Sequence, residues 1–272
     1  MAFLSNLRKF FQNKLSDKQR MNIRNFQALR FRGLQRVICK VLFGSNIKAL
    51  AFIYGTDKWG SHWYAQHYET HFALLRRKKL NVLEIGVGGS KDELGGASLR
   101  MWRTYFPKSN LFGIDIYDKS ANNERRIKTL SGSQVDDGFL ERVVENIGKI
   151  DIIIDDGSHR NDHVLHTFKF LFPKMSENGI YVIEDTLTSY WPHYGGSSED
   201  LNRLDTTMGF LKQLTDGLNY CEYRIKDYKP SYFDKNIVAI HFYHNIVFIQ
   251  KGLNNEVSTT GRGCPVVNSM LK

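Results

Sequence analysis

Apolar positions in the central part of the chain follow two alternating periods. Asn81-Val-Leu-Glu-Ile85, Leu111-Phe-Gly-Ile-Asp115, Ile150-Asp-Ile-Ile-Ile-Asp155 and Ile180-Tyr-Val-Ile-Glu184 are short apolar runs ending in glycine or acid, and they read as buried strands. Residues 126–130 form a weaker fifth run. Between these runs the apolar spacing becomes three and four, which predicts helices over 98–106, 137–147, 163–172 and 201–218. Ser98 stands where a side chain would cap the first of these, and Pro173 and Gly179 close the third. Residues 237–242 and 246–250 flank a tight turn at His244-Asn245 and predict an antiparallel hairpin. Strands alternating with helices imply a doubly wound α/β fold: a mostly parallel sheet, helices on both faces, and the hairpin at its C-terminal end.

Composition supports a real core, since 42% of the 272 residues are hydrophobic and 13% aromatic. Charge changes the picture at one end. Eleven cations and a single acid, Asp17, fall within the first fifty residues, so the whole excess of +10 resides there. Phe3, Leu4, Leu7, Phe10, Phe11 and Leu15 give that segment one apolar helical face. We therefore divide the chain into a basic amphipathic helical extension, 1–50, and a main α/β domain, 51–272. Such an extension can pack on the domain, pair with another subunit as a homo-oligomer, or lie on an anionic membrane. The near-neutral remainder argues against a nucleic-acid partner. Cys39, Cys221 and Cys264 are far apart and include no CxxC pair, which argues against a disulfide framework or a cysteine zinc site. No apolar run approaches the ~20 residues of a membrane span, and Arg8, Lys9 and Lys14 break any leader-like stretch. These features predict a cytoplasmic protein whose membrane contact, if any, is peripheral.

In sheets of this kind ligands bind beyond the carboxyl ends of the strands. Those ends read Glu84-Ile-Gly-Val-Gly-Gly89, Asp115, Asp155-Asp156 and Glu184-Asp185. A carboxylate costs several kcal/mol to bury unpaired, so these acids need water, a cation or ligand donors. Gly86 and Gly88 let the backbone approach a ligand closely. A dinucleotide site would run from its glycine turn straight into a helix, to hold pyrophosphate. Here Ser90-Lys-Asp-Glu-Leu-Gly-Gly96 intervenes, which favours a ligand without pyrophosphate. Alone, the glycine turn fits a structural bend equally well. Asp115 at the next strand end adds an acceptor for ribose hydroxyls, although an acid there also suits a helix cap.

Glu84-Ile-Gly-Val-Gly, Asp115 and the strand–helix order resemble the class I S-adenosylmethionine-dependent methyltransferases, which are Rossmann-like. Tyr54-Gly-Thr-Asp-Lys-Trp-Gly-Ser-His-Trp-Tyr64, Ile154-Asp-Asp-Gly-Ser-His159 and Val182-Ile-Glu-Asp-Thr186 are similar to the metal-dependent sugar O-methyltransferases that tailor macrolide antibiotics, over roughly residues 51–253. The resemblance implies S-adenosyl-L-methionine and Mg2+ as cofactors and a glycoside or lipid-linked sugar as acceptor. It implies Asp156, Glu184 and Asp185 as metal ligands and His159 as general base. Magnesium chemistry agrees, because the ion prefers carboxylate oxygens and keeps open positions. Cofactor contacts are expected from Glu84, Gly86, Gly88, Ser98 and Asp115. Lys58 would pair with the methionine carboxylate and Tyr64 would cover it, while Gln134 and Asp136 lie where related enzymes hold adenine.

Plainer readings stand beside these. His159 suits a turn, Trp59, Trp63 and Tyr68 suit a core, and His163 with His166 suit a half-buried helix face as well as a metal pair. Trp191, His193 and Tyr194, ahead of Gly195-Gly196, suit an aromatic lid over a sugar. The rival functions are methyl transfer to a phenol or catechol and a non-catalytic binding module on the same fold.

Overall fold

The computed structural model describes residues 41–258. Its helices are α1 (Ile47–Tyr54), α2 (Ala65–Phe72), α3 (Ala97–Tyr105), α4 (Asp137–Ile147), α5 (Asn161–Leu171), α6 (Thr207–Gly217) and α7 (Tyr232–Asn236). Its strands are β1 (Asn81–Ile85), β2 (Asn110–Asp115), β3 (Ile127–Ser131), β4 (Ile150–Asp155), β5 (Met175–Glu184), β6 (Ile237–Tyr243) and β7 (Ile246–Lys251). They form one sheet in the order β3-β2-β1-β4-β5-β7-β6. Strands β1 to β5 are parallel; the hairpin adds β7 antiparallel to β5, and β6, the edge strand, antiparallel to β7. Asn245 turns the hairpin in the left-handed region, φ 63°, which asparagine tolerates better than most residues.

Strand periodicity distributes the core. Along β4, Ile152 and Ile154 face a layer with Tyr68, Phe72, Trp102 and Phe106 from α1–α3 and its flanks. Ile153 points the other way, into a layer with Phe139, Leu140, Phe168 and Leu211 from α4–α6. Both sheet faces are thus covered, as an apolar run without polar alternation requires. After β1 the chain builds outward to β2 and β3, then returns to β4 on the opposite side of β1. The loops beyond β1 and β4 therefore diverge and open a crevice between them.

Several boundaries differ from the sequence reading. Ser98 does not cap α3. Gly96, at φ 70°, is the cap residue, and the Ser98 hydroxyl donates to Glu84 Oε2 at 2.8 Å. Residues 201–206 are not helical; α6 begins at Thr207, where the Thr206 hydroxyl accepts from the Gly209 amide. Strand β5 starts five residues earlier than its apolar run, at Met175. The expected boundary after residue 50 falls inside α1, whose Ile47, Leu50 and Ala51 are core residues. Residues 1–40, which carry most of the basic extension, lie outside the described residues. No helix among the described residues is long and apolar enough to cross a membrane.

Candidate active site

The crevice is a cavity of about 460 Å³ at the carboxyl ends of β1, β2 and β4. Gly86, Gly88, Asp115, Gln134, Asp156 and His159 all line it. Gly86 is needed there: at φ 87°, a Cβ on it would lie 2.1 Å from the Asp156 carbonyl oxygen. Asp115 shapes the turn through its carboxylate, which accepts from the Val87 amide and the Tyr117 amide, each at 2.9 Å. Gln134 sits deeper. Its amide donates to Thr167 Oγ1 at 3.1 Å, and its carbonyl accepts from the Ser158 amide at 2.9 Å. Asp136 instead caps α4, accepting from the Phe139 amide.

Beneath the crevice lies a buried charge network. Lys58 is fully buried, and its ammonium donates to Glu184 Oε1 at 2.7 Å, Glu184 Oε2 at 2.9 Å and Asp156 Oδ2 at 2.9 Å. Glu84 Oε1 stands 3.9 Å away. Burial alone would depress the ammonium, but Asp156, Glu184, Glu84 and Asp57 together hold it well above the ordinary lysine range. Burial pushes Glu84 up to about 7, with Lys58 opposing. Burial, and then the charge of Asp156, raise Glu184, while Asp156 rises through burial against the pull of Lys58. One ammonium thus faces an excess of carboxylates whose ionisation the site resists. Another cation would relieve that resistance.

Asp156, His159 and Asp185 each offer a ligand atom, and all three atoms lie within 4.8 Å of one another. His159 Nε2 is 3.9 Å from Asp156 Oδ1 and 3.7 Å from Asp185 Oδ2. Both His159 (φ 57°) and Asp185 (φ 53°) occupy the left-handed region. Strained backbone of this kind costs roughly 1–3 kcal/mol per residue and gathers where function fixes side-chain direction. The donor set suits a hard divalent cation: oxygen from two acids, with space left for other ligands. Glu184 lies beside this group and turns toward Lys58 and the Tyr68 hydroxyl, which donates to it.

Other expected residues occupy different places. Glu84 is fully buried behind the crevice, accepting from Ser98 and from Trp102 Nε1 at 3.2 Å. Lys58 spends its donors on acids. Tyr64 is buried and donates to Asp185 Oδ1 at 2.6 Å and to the Asn245 carbonyl at 3.1 Å. His163 and His166 diverge: one meets Ser158 Oγ at 2.9 Å, the other Asp137 at 2.8 Å. The sequence reading missed His62, 3.7 Å from Asp185 Oδ1, and the role of Tyr68. Asp155, grouped there with the rim acids, is instead fully buried beneath the rim, and burial pushes its carboxyl up to about 6. The spacing of Ala65, Tyr68 and Phe72 marks α2's inner face, but nothing local signals that the tyrosine reaches an acid. A second cavity, about 410 Å³, opens past Asp185 and is lined by Thr186, Tyr190, Trp191, Met208, Tyr243 and Asn245 among others.

Sheet order, glycine turn and rim acids define a Rossmann-like protein of the methyltransferase fold. No family model matches the chain. Mycinamicin VI 2''-O-methyltransferase of Micromonospora griseorubida is 45% identical over 214 residues, 78% of this chain and 54% of that protein. Demethylmacrocin O-methyltransferase of Streptomyces fradiae is 42% identical over 239 residues, 85% of this chain and 60% of that protein. The solved structure of the methyltransferase MycE from the mycinamycin biosynthetic pathway, in complex with Mg, SAH and mycinamycin VI, is 43% identical at a TM-score of 0.73. It covers 81% of this chain, which in turn covers 57% of it. The chain is similar to these O-methyltransferases over most of its own length, and it spans little more than half the length of the relatives it matches.

Proposed function

We propose that the protein is an S-adenosylmethionine- and magnesium-dependent O-methyltransferase acting on a hydroxyl of a small-molecule glycoside. One observation carries this: Asp156, His159 and Asp185 stand together between two cavities, one walled by the glycine turn and Asp115, the other by aromatic side chains. The names of the relatives support the same reading. Asp156 and Asp185 would hold the metal, with Glu184 as the third acid of the set, shared with Lys58. When bound, S-adenosylmethionine supplies an electrophilic methyl group and magnesium polarises and orients the acceptor hydroxyl.

The chain's own residues do the rest. Asp115 faces the cleft where a ribose would lie, and Gly86 and Gly88 admit the cofactor closely. His159 takes the acceptor proton as the methyl carbon bonds to oxygen and leaves sulfur. Tyr64 holds Asp185 in place through its hydroxyl. Tyr190 and Trp191 offer faces on which a sugar ring can stack. Orientation of this kind is worth ~7–11 kcal/mol in favourable cases.

Titration with S-adenosylhomocysteine, with and without magnesium, tests the cofactor reading, followed by mass spectrometry of glycosides incubated with S-adenosylmethionine. No binding at millimolar concentration would overturn it, and full activity in excess chelator would remove the metal. A second reading concerns residues 1–48, whose charge and apolar spacing support peripheral contact with an anionic membrane. Equal flotation of full-length and truncated protein on anionic vesicles would overturn that.

A further inference from the structure

Between β1 and α3 the chain passes five glycines in the left-handed region: Gly86, Gly88, Gly89, Gly95 and Gly96. A segment of this composition loses much conformational freedom on ordering, so something outside it must hold it. Three side chains collect its carbonyls. The Lys119 ammonium donates to Gly89 at 3.2 Å, Ser90 at 2.8 Å and Glu93 at 2.7 Å. Asn122 Nδ2 donates to the Leu94 carbonyl at 2.6 Å. Arg100 donates to the Gly95 carbonyl at 3.0 Å and to Asn122 Oδ1 at 2.7 Å.

An ammonium has three donors, and Lys119 gives all of them to this one loop. It is 3% exposed. A buried charge is tolerated only where its partners are well placed, so the converging carbonyls and the ammonium require each other. Lys119 follows β2 by a few residues, and Asp115 at the end of β2 grips the Val87 amide. The β2–β3 connection therefore clamps the loop at both ends. Gly88 and Gly89 form part of the crevice wall, whereas Lys119 lies behind them.

We propose that Lys119 is a positioning residue for cofactor binding: it holds residues 88–96 in the shape that walls the crevice, without touching the cofactor. This rests on reading that crevice as the S-adenosylmethionine site. A purely structural lysine would lower stability alone, while a positioning one changes cofactor affinity and leaves the acceptor side unmoved.

The test uses full-length K119M, and N122A as a second lesion that removes the bond to the Leu94 carbonyl and the Oδ1 acceptor of Arg100 but leaves the three Lys119 bonds to the loop. Hydrogen exchange followed by mass spectrometry, without cofactor, reads the loop directly. Exchange in residues 88–96 should quicken about tenfold or more in K119M while the sheet stays protected. The Kd for S-adenosylhomocysteine should rise about tenfold, a loss of about 1.4 kcal/mol, and N122A should move both in the same direction by less. The KM for the methyl donor should rise without a change in the KM for the acceptor. An unchanged Kd in a folded variant would overturn the proposal, as would weaker binding with unchanged loop exchange. Loss of protection across the whole sheet in both variants would assign Lys119 to stability and overturn it too. Failure of the wild-type protein to bind S-adenosylhomocysteine would sink the cofactor reading, while exchange in the loop would still show whether Lys119 clamps it.

Discussion

Gly86 and Gly88 share one conformational demand and differ in their surroundings, which allows the two causes of glycine dependence to be separated. Both have positive φ, 87° and 82°. A Cβ at Gly88 meets nothing within 4 Å, so Gly88→Ala carries only the backbone penalty, of order 1–3 kcal/mol. A Cβ at Gly86 would lie 2.1 Å from the Asp156 carbonyl oxygen and 3.0 Å from Gly157 Cα. Opening the first distance to an ordinary contact of 3.4 Å or more moves the two strand ends apart by over an ångström. Overpacking of this sort typically adds 1–3 kcal/mol, giving roughly 2–6 kcal/mol for Gly86→Ala. The displaced residue is Asp156, a proposed metal ligand, so metal affinity should fall in Gly86→Ala and hold in Gly88→Ala. Urea denaturation measures the first effect, and calorimetric titration with magnesium or manganese the second. If Gly86→Ala were as stable as Gly88→Ala and bound metal like the wild type, the close approach of β1 and β4 would not matter as argued.

Three further outcomes are expected. His159→Ala should lower the rate by ~10²–10⁴ without rescue by magnesium, whereas Asp156→Asn should weaken metal binding and recover partly with excess metal; single-turnover rates across a magnesium series separate the two. Lys58→Met leaves buried carboxylates without their counter-cation and should cost about 3–5 kcal/mol in urea denaturation at neutral pH, and a neutral result would mean the acids are paired elsewhere. Burial first, then His241 and His67, lower His71 to about 4. The unfolded chain therefore protonates that residue before the folded protein does, and His71 withdraws stability as pH falls from about 6.5 toward 4. Glu84 and Asp155, raised to about 7 and about 6, act oppositely over much of that range, so the measurement is the difference between wild type and His71→Phe. Parallel stability–pH curves for the two would refute the assignment.

The buried strands and most helices were legible because burial of one face imposes a local period. The runs at 81–85 and 150–155 and the helix at 137–147 coincide with β1, β4 and α4. Where the pattern failed, a distant contact had decided the conformation. Gly96 adopts its left-handed φ with the Asn122 side chain so close that any Cβ would collide with it, and that contact places the α3 cap at Gly96 and frees Ser98 for Glu84.

The chain's own pattern determined the alternating fold, the acids at the strand ends and the glycine turn, since each depends on residues a few positions apart. Which acid faces which partner was decided only in three dimensions. Lys58 meets Asp156 and Glu184 across 98 and 126 residues of sequence, because β4 and β5 are neighbours and the segment before α2 packs over their ends. Successive residues at a strand end point to opposite sides. Glu184 therefore turns inward to Lys58 and Tyr68, while Asp185, bent into the left-handed region, turns to His159 and Tyr64. Sequence adjacency presents those two acids as a pair; the pleat of the sheet gives each its own neighbours.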